Sequence, residues 1–310
     1  MHNFGLVHID TNSKYPNLVL MKLSAWIKSK LQPGTYNIDL LKPADVLNGY
    51  NMFRQYDVLY GACVFSENKH LADALAAKGV SVGGSGTGKY EITLRPDQEH
   101  IMPDYSLYGI TDTAYGFLTR GCPRHCPFCI VGDKEGLVSR KVADLQEFWN
   151  GQKFIKLLDP NLLACTDHMN LLEQLANSEA KVDFTQGLDA RKLTRANIDL
   201  INNITIERVH FAWDDPRDRK IPTALKIFLN HTKVKEVKRR TVYVLTNYWS
   251  THEEDLYRVY WLRDNGYDPY VMIYDKPNAP TITRYLQRWV NNKKIFRTVL
   301  KFEDYDHTVG

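Results

Sequence analysis

No apolar run in this 310-residue chain approaches the length of a membrane span, and no tract is low in complexity or internally repeated. These absences argue against a membrane protein, a solenoid and a disordered linker, while 44% hydrophobic and 25% charged residues are the make-up of an ordinary globular chain. The first ten residues have neither a basic leader nor a long apolar core, so no secretory signal is expected. Cysteine is scarce. Five of them without an export signal set the expectation of a reducing cytoplasm and not of a disulfide scaffold. An excess of one charge is also lacking: 40 Lys and Arg against 36 Asp and Glu leave +4, too little to specify nucleic acid.

What the chain does have is three of its cysteines in one stretch, Gly121-Cys122-Pro123-Arg124-His125-Cys126-Pro127-Phe128-Cys129. Thiolates bind iron-sulfur clusters strongly, and a closed cluster takes four of them. Three thiols at C-x3-C-x2-C with no fourth nearby fill three corners and leave one iron open. Pro123 and Pro127 fix φ between the ligands and stiffen the loop. Zinc competes, but structural zinc takes four ligands, usually in two pairs. Only His125 or Cys165 is placed to complete a set here, and neither gives a usual spacing. Buried thiols without metal are the plainest rival.

With Phe128 directly before the last cysteine, the pattern resembles the radical S-adenosylmethionine (radical SAM) enzymes. That resemblance implies a 4Fe-4S cluster on Cys122, Cys126 and Cys129, whose fourth iron takes the amino and carboxylate groups of S-adenosylmethionine. It implies reductive cleavage to methionine and a 5'-deoxyadenosyl radical that removes a hydrogen atom from the substrate, with an electron donor such as flavodoxin or ferredoxin. Phe128 is implied near the adenine, and the loop after the first strand of a partial (β/α) barrel. Residues 114–120 read as a short β-branched and aromatic strand, which sets the loop at a strand's carboxyl end, where α/β barrels carry function.

Strand-like and helix-like stretches alternate from the start. Strands are expected over 4–9, 36–41, 57–65 and from 80, with helices over 17–31, 43–54 and 66–78, the last capped by Ser66 and stopped by Gly79. This βαβ succession predicts a small Rossmann-like parallel-sheet domain over 1–108. It resembles the cobalamin-binding-like domain that precedes the barrel in one branch of radical SAM enzymes. Where histidine-ligating members carry Asp-x-His-x-x-Gly, this chain has Asp10-Thr11-Asn12-Ser13-Lys14-Tyr15, and the domain looks one strand short. Both departures weigh against cobalamin and for a scaffold at a substrate entrance. Gly83-Gly84-Ser85-Gly86-Thr87-Gly88-Lys89 imitates a phosphate loop, but Tyr90 replaces its Ser/Thr and 90–96 read as extended. Without a helix amino terminus the cradle has no aimed amides.

Beyond the cysteines, strands are expected over 154–158, 182–185, 208–212, 241–245 and 270–273, with helices over 142–149, 167–177, 194–201, 223–229, 253–265 and from 281. Counting the strand before the cysteines, 109–310 holds six β/α units, and the α/β fold expected is a partial (β/α)6 radical SAM barrel behind the Rossmann-like domain. Polar groups at strand ends are the candidates for holding the cofactor. The resemblance implies a segment here that meets the methionine amino group, for which Asp159 or Asn161 is the candidate, although Leu158-Asp159-Pro160-Asn161 departs from the family's Gly-Gly-Glu type segment. Gln186 or Asp189 suits ribose hydroxyls, and Arg191 suits the methionine carboxylate by its forked donors. Asp214 and Asn247 end the next two strands. All are also ordinary loop and cap residues. Cys165 is a weak candidate hydrogen donor, its rival role being a small buried apolar group.

From Lys276 to Phe302 there are seven basic residues and no acidic one. Arg284 and Arg288 share one helical face and Tyr285 and Trp289 the next. Such a helix grips phosphates and stacks bases, so tRNA or another nucleic acid is a partner to weigh. Docking of the two aromatics on the barrel is the preferred reading. Three functions follow in order: a radical SAM enzyme with an unidentified substrate, a cobalamin-dependent radical SAM methyltransferase, and a non-catalytic Fe-S or zinc nucleic-acid-binding module. The methylthiolating tRNA enzymes resemble this layout, but their leading domain carries three additional cysteines where this one has only Cys63. No membrane association is expected.

Overall fold

Along strand β1 (His2–His8), Leu6 and Val7 point to opposite faces and both are fully buried. A strand buried on both sides belongs to a sheet covered by helices on both faces. The computed structural model, which describes residues 1–49 and 55–308, has that arrangement in the first of two units, Met1–Gly116 with Gln146–Gln152. Four parallel strands run in the order β2-β1-β3-β4, with β2 at Tyr36–Leu41, β3 at Val58–Ala62 and β4 at Ser81–Gly83. Leu6 packs with Leu20, Leu23 and Ile27 of α1 (Leu18–Lys30). On the other face, Val7 packs with Ala72 and Leu75; α2 (Pro43–Leu47) comes before α3 (Lys69–Ala77), which carries both alanine and leucine.

Local chemistry explains where these elements start and stop. Asn17 caps α1 by accepting from the Val19 and Leu20 amides. α2 ends at Leu47, before Gly49 at φ +66°, so it is shorter than the expected 43–54; residues 50–54 lie outside the described residues. Ser66 is not a helix cap. A 3-10 turn, Ser66–Asn68, stands there, tied down by buried Asp10, which accepts from the Val64 amide (2.6 Å), the Phe65 amide (3.2 Å) and Asn68 Nδ2 (2.8 Å). Residues 89–95 after the glycine loop form no helix. The glycines serve packing: a Cβ on Gly86 would stand 2.6 Å from Cys63 Sγ. A short helix, α4 (Pro96–Glu99), follows.

The second unit comprises Phe117–Leu145 and Lys153–Gly310. Its parallel strands run in the order β12-β11-β10-β9-β8. They are β8 Phe154–Leu157, β9 Lys181–Phe184, β10 Thr205–Ala212, β11 Arg240–Thr246 and β12 Asp268–Ile273; β5 (Thr113–Gly116) falls within the first unit, and β6 (Thr119–Arg120) and β7 (Arg140–Lys141) pair separately as an antiparallel ribbon. Each large-sheet strand lies beside its predecessor in the chain, so right-handed crossovers place the connecting helices on one face. Burial follows that rule. Ile155, Leu157, Val182, Phe184, Val209, Phe211, Val242, Val244 and Val271 alternate along the strands and are almost inaccessible. Helices between the strands are α5 Val131–Glu135, α6 His168–Asn177, α7 Arg195–Ile201, α8 Lys220–His231 and α9 His252–Asp264, followed by α10 Thr281–Asn291 and α11 Lys293–Thr298.

Two expectations change. The single strand over 114–120 is broken at Gly116, and its second half joins the antiparallel ribbon. The helix over 142–149 is only a 3-10 turn, Leu145–Glu147. Its amides are engaged elsewhere: Val142 N donates to Leu118 O (2.8 Å) and Leu145 N to Gln174 Oε1 (2.9 Å).

The apolar face of the basic terminal region is core, while Lys276, Arg284, Lys294, Arg297 and Lys301 are exposed. Trp289 is fully buried against Tyr260, Phe296 and Phe302, and its Nε1 donates to Val299 O at 2.9 Å. Trp289 is therefore not available to stack a base. α10 also guards the outer edge of β12. Asn291 both accepts from the Val271 amide and donates to the Val271 carbonyl (2.9 Å each), Gln287 donates to that same carbonyl, and Lys293 Nζ donates to Pro269 O at 2.6 Å. No helix among the described residues is long and apolar enough to cross a membrane.

Candidate metal centre

The cysteine loop leaves and rejoins the chain through the β6/β7 ribbon, in which Thr119 faces Lys141 and Arg120 faces Arg140. Asp159, at the end of β8, anchors the start of that ribbon. Its buried carboxylate accepts from the Leu118 amide (3.1 Å), the Thr119 amide and the Thr119 hydroxyl (2.7 Å). Burial pushes Asp159 up to about 6 against the pull of these donors. Its bonds all go to the loop's stem, so Asp159 positions the loop. Replacing it with alanine strands buried amides at about 1–3 kcal/mol each, and we expect a loss of about 3 kcal/mol in urea unfolding. A loss below roughly 0.5 kcal/mol would show that water replaces the carboxylate.

Gly121 turns the chain out of the ribbon at φ +87°, where a Cβ would stand 2.2 Å from Val138 O. Only glycine fits that close approach. Gly121→Ala should cost about 2–3 kcal/mol and lower the iron retained per chain after anaerobic reconstitution; unchanged iron content would count against a fixed loop. Within the loop, Cys122 N donates to Gly136 O (3.1 Å) and Cys129 N to Cys126 O (2.9 Å). Glu135, ending α5, accepts from Arg120 Nη1 (2.9 Å) and Gly121 N (3.1 Å). Burial alone would raise its pKa, but Arg120 and the Gly121 amide outweigh burial and hold the carboxyl below its ordinary range.

Cys122, Cys126 and Cys129 are half-buried free thiols. Burial pushes Cys126 up to about 11, and the Asp214 carboxylate and the other two cysteines add to the rise. Cys129 is raised for the same leading reason, against a hydrogen bond from the Val131 amide. Thiols that oppose one another's ionisation become thiolates when a cation sits among them. His125 is exposed, with its ring against Gly132.

Four candidates from neighbouring strand ends meet this loop. Asn161 Nδ2 lies 3.4 Å from Cys122 Sγ and 3.4 Å from Asp189 Oδ2. Its Oδ1 is buried and has no hydrogen-bond partner. Asp189 accepts from Arg124 Nε (2.6 Å), from Arg191 Nε (2.7 Å) and from the Arg191 amide. Burial opposes its ionisation, but Arg191 and Arg124 hold Asp189 below the usual carboxylate range. Arg191 reaches Asp218 Oδ2 at 3.1 Å, so its fork already serves two carboxylates. Asp214 is pushed up to about 6 by burial, despite Arg258 and Arg191. Phe128 sets its ring edge-to-face with Tyr248 (5.3 Å) and Trp249 (5.5 Å), and Tyr248 meets Tyr274 at 4.7 Å.

The remaining candidates are placed otherwise. Gln186 is exposed at the turn after β9. Asn247, at φ +63°, donates to Tyr274 O (2.9 Å) and links the ends of β11 and β12. Cys165 is 2% exposed and closes the turn Leu162–Ala164, so its thiol is a core group apart from the loop. Sequence reasoning gave no role to Arg124, Tyr248, Trp249 or Tyr274. The signal was present in the aromatics, which directly follow the ends of β11 and β12.

No group of three or more His, Cys, Asp or Glu side chains among the described residues is preformed around one point. The fit to a cluster therefore rests on donor chemistry and neighbours: three soft thiol donors on one clasped loop, an amide aimed at one sulfur, and an orphaned buried acceptor beside it. These residues suit an iron-sulfur cluster with a polar ligand at its open corner. The chain matches no known family model, and no curated protein is significantly similar to it.

Proposed function

We propose that this chain is a radical SAM enzyme whose second unit is a partial (β/α) barrel. The observation that carries the reading is the set of three free thiols on one clasped loop, with the unpartnered Asn161 Oδ1 next to Cys122. Sequential strand order supports the barrel, since each β/α unit adds to the same edge and leaves the carboxyl ends of the strands in one row. With a 4Fe-4S cluster and S-adenosylmethionine bound, reductive cleavage supplies a 5'-deoxyadenosyl radical that takes a hydrogen atom from the substrate.

The chain's own residues hold and orient. Cys122, Cys126 and Cys129 would hold three irons of the cluster, and Asn161, whose amide lies on the Cys122 sulfur, would offer its free carbonyl to an ammonium group. Arg124 and Arg191 fix Asp189, and through it Asn161, so that this acceptor is set before any ligand arrives. Phe128, with Tyr248 and Trp249 behind it, gives adenine a flat apolar wall and keeps water from it. An electron donor such as flavodoxin or ferredoxin completes the system. The test is anaerobic reconstitution with iron and sulfide, then dithionite and S-adenosylmethionine: 5'-deoxyadenosine is expected, and a chain that binds a cluster but releases none is not of this class.

A further inference from the structure

Two buried side-chain atoms with no hydrogen-bond partner among the described residues stand side by side on one face of the second unit's sheet: Asp183 Oδ1 and His210 Nδ1. Asp183 lies on β9 between the buried Val182 and Phe184, and His210 on β10 between the buried Val209 and Phe211. Phe211 meets Phe228 of α8 edge-to-face at 4.9 Å, which marks its side as the helix-covered one. Alternation along the strands therefore turns Asp183 and His210 to the opposite face. They are enclosed there, with 14% and 8% of their side chains exposed.

His210 Nε2 lies 3.2 Å from Asp183 Oδ1. The contact is not aligned as a hydrogen bond, so the carboxylate oxygen keeps its accepting capacity, and Nδ1 on the far side of the ring is equally unspent. Tyr243 stacks on the imidazole at 5.0 Å with an interplanar angle of 16°, and its hydroxyl donates to Thr185 O at 2.8 Å. That stack holds the ring in place without satisfying Nδ1. The backbone of the pair leads to the cysteine loop: His210 O accepts from the Leu188 amide at 2.8 Å, and the next residue, Asp189, accepts from Arg124 of that loop.

Unpaired polar atoms are unfavourable in a buried place, and two together call for one group that serves both. Charge narrows the choice. Lys156 of β8 stands at the register position beside Asp183, on the same face, and opposes an ammonium ligand, while Asp183 itself opposes a carboxylate or phosphate. The slight exposure of the pair limits size, and a hydroxyl is the smallest neutral group that both donates and accepts. We propose that Asp183 and His210 bind a hydroxyl of the substrate, which is thus an alcohol whose carbinol carbon is held at this face. The word substrate rests on the enzymatic reading; the binding itself needs no cluster.

The test is a magnetic-resonance titration of the full chain, isotopically labelled on its histidine ring nitrogens, with ethylene glycol. The reporter is the His210 Nδ1 resonance, identified by its loss in His210→Gln. Saturable movement is expected, and Asp183→Asn should weaken the apparent affinity about tenfold. Ethylene glycol dimethyl ether, which accepts but cannot donate, should leave the resonance where it is. This comparison uses the parent chain, so it stands whether or not a variant folds. His252 Nδ1 is also buried and partnerless but lies beside Phe302, and as the internal control it should not move. No movement with the glycol, equal movement with the ether, or unchanged affinity in a folded Asp183→Asn overturns the proposal. Saturable movement in a chain that releases no 5'-deoxyadenosine leaves the hydroxyl site standing and removes only the radical chemistry; release without movement does the reverse.

Discussion

Cys126→Ala, reconstituted with iron and sulfide in the absence of oxygen, is expected to release no measurable 5'-deoxyadenosine from S-adenosylmethionine and dithionite. Loss of a residue that merely supports a metal ligand lowers metal affinity or activity about 10–100-fold, and removal of a direct ligand exceeds that. Cys165→Ala is the matched comparison, because it removes a thiol that lies 2% exposed in the core. That variant should keep both iron and cleavage, at the price of a small cavity. Asn161→Ala falls between: its amide lies 3.4 Å from Cys122 Sγ, so iron should remain while cleavage drops about tenfold or more. Full cleavage by the Cys126 variant would remove the loop from the chemistry altogether.

The second large effect concerns folding. Arg258 on α9 is completely buried and donates to the carbonyls of Trp213 (2.6 Å), Asp214 (2.8 Å) and Leu245 (2.9 Å), to Ser250 Oγ (3.0 Å) and to Asp255. One side chain thus fastens the carboxyl ends of β10 and β11 to a helix. Arg258→Met leaves the Asp255 carboxylate and three carbonyls without their donor. Breaking a buried pair from one side costs about 3–5 kcal/mol, and urea unfolding should show a loss of that order. Arg258→Met combined with Asp255→Leu should recover part of it, because no unpaired charge remains. A single variant within about 1 kcal/mol of the parent would show that Arg258 is not a clasp. A variant that folds but lacks the clasp should also retain less iron after anaerobic reconstitution, since Asp214, whose carbonyl Arg258 holds at the end of β10, neighbours Cys126.

Periodicity made most of the parallel strands legible. Alternation of Val, Ile and Phe with polar residues marked β9 to β12 within a few residues, and the helix expected over 194–201 is α7, whose start the structure closes with a reciprocal cap between Thr194 and Asn197. It did not reveal that 114–120 breaks at Gly116, because both halves have strand composition and only long-range pairing with Arg140 and Lys141 separates them. The helix expected over 142–149 failed for a related reason: its amides find partners at Leu118 and Gln174, which no local pattern records. At the site, the thiols, Asn161, Asp189, Arg191 and Asp214 were legible as polar residues at strand ends. Asp159 was legible as a candidate ligand but not as an anchor, since its role depends on two amides about forty residues upstream. The ring contacts of Phe128 with Tyr248 and Trp249, and of Tyr248 with Tyr274, were missed because these residues lie far apart along the chain.

The outer edge of β12 has a consequence for how copies of this chain meet. An edge strand with free amides and carbonyls recruits any extended segment that encounters it. Asn291, Gln287 and Lys293 occupy the Val271 and Pro269 groups that such a visitor would use. The last strand can therefore leave Tyr270 and Tyr274 uncovered without offering its backbone to another molecule of the same kind.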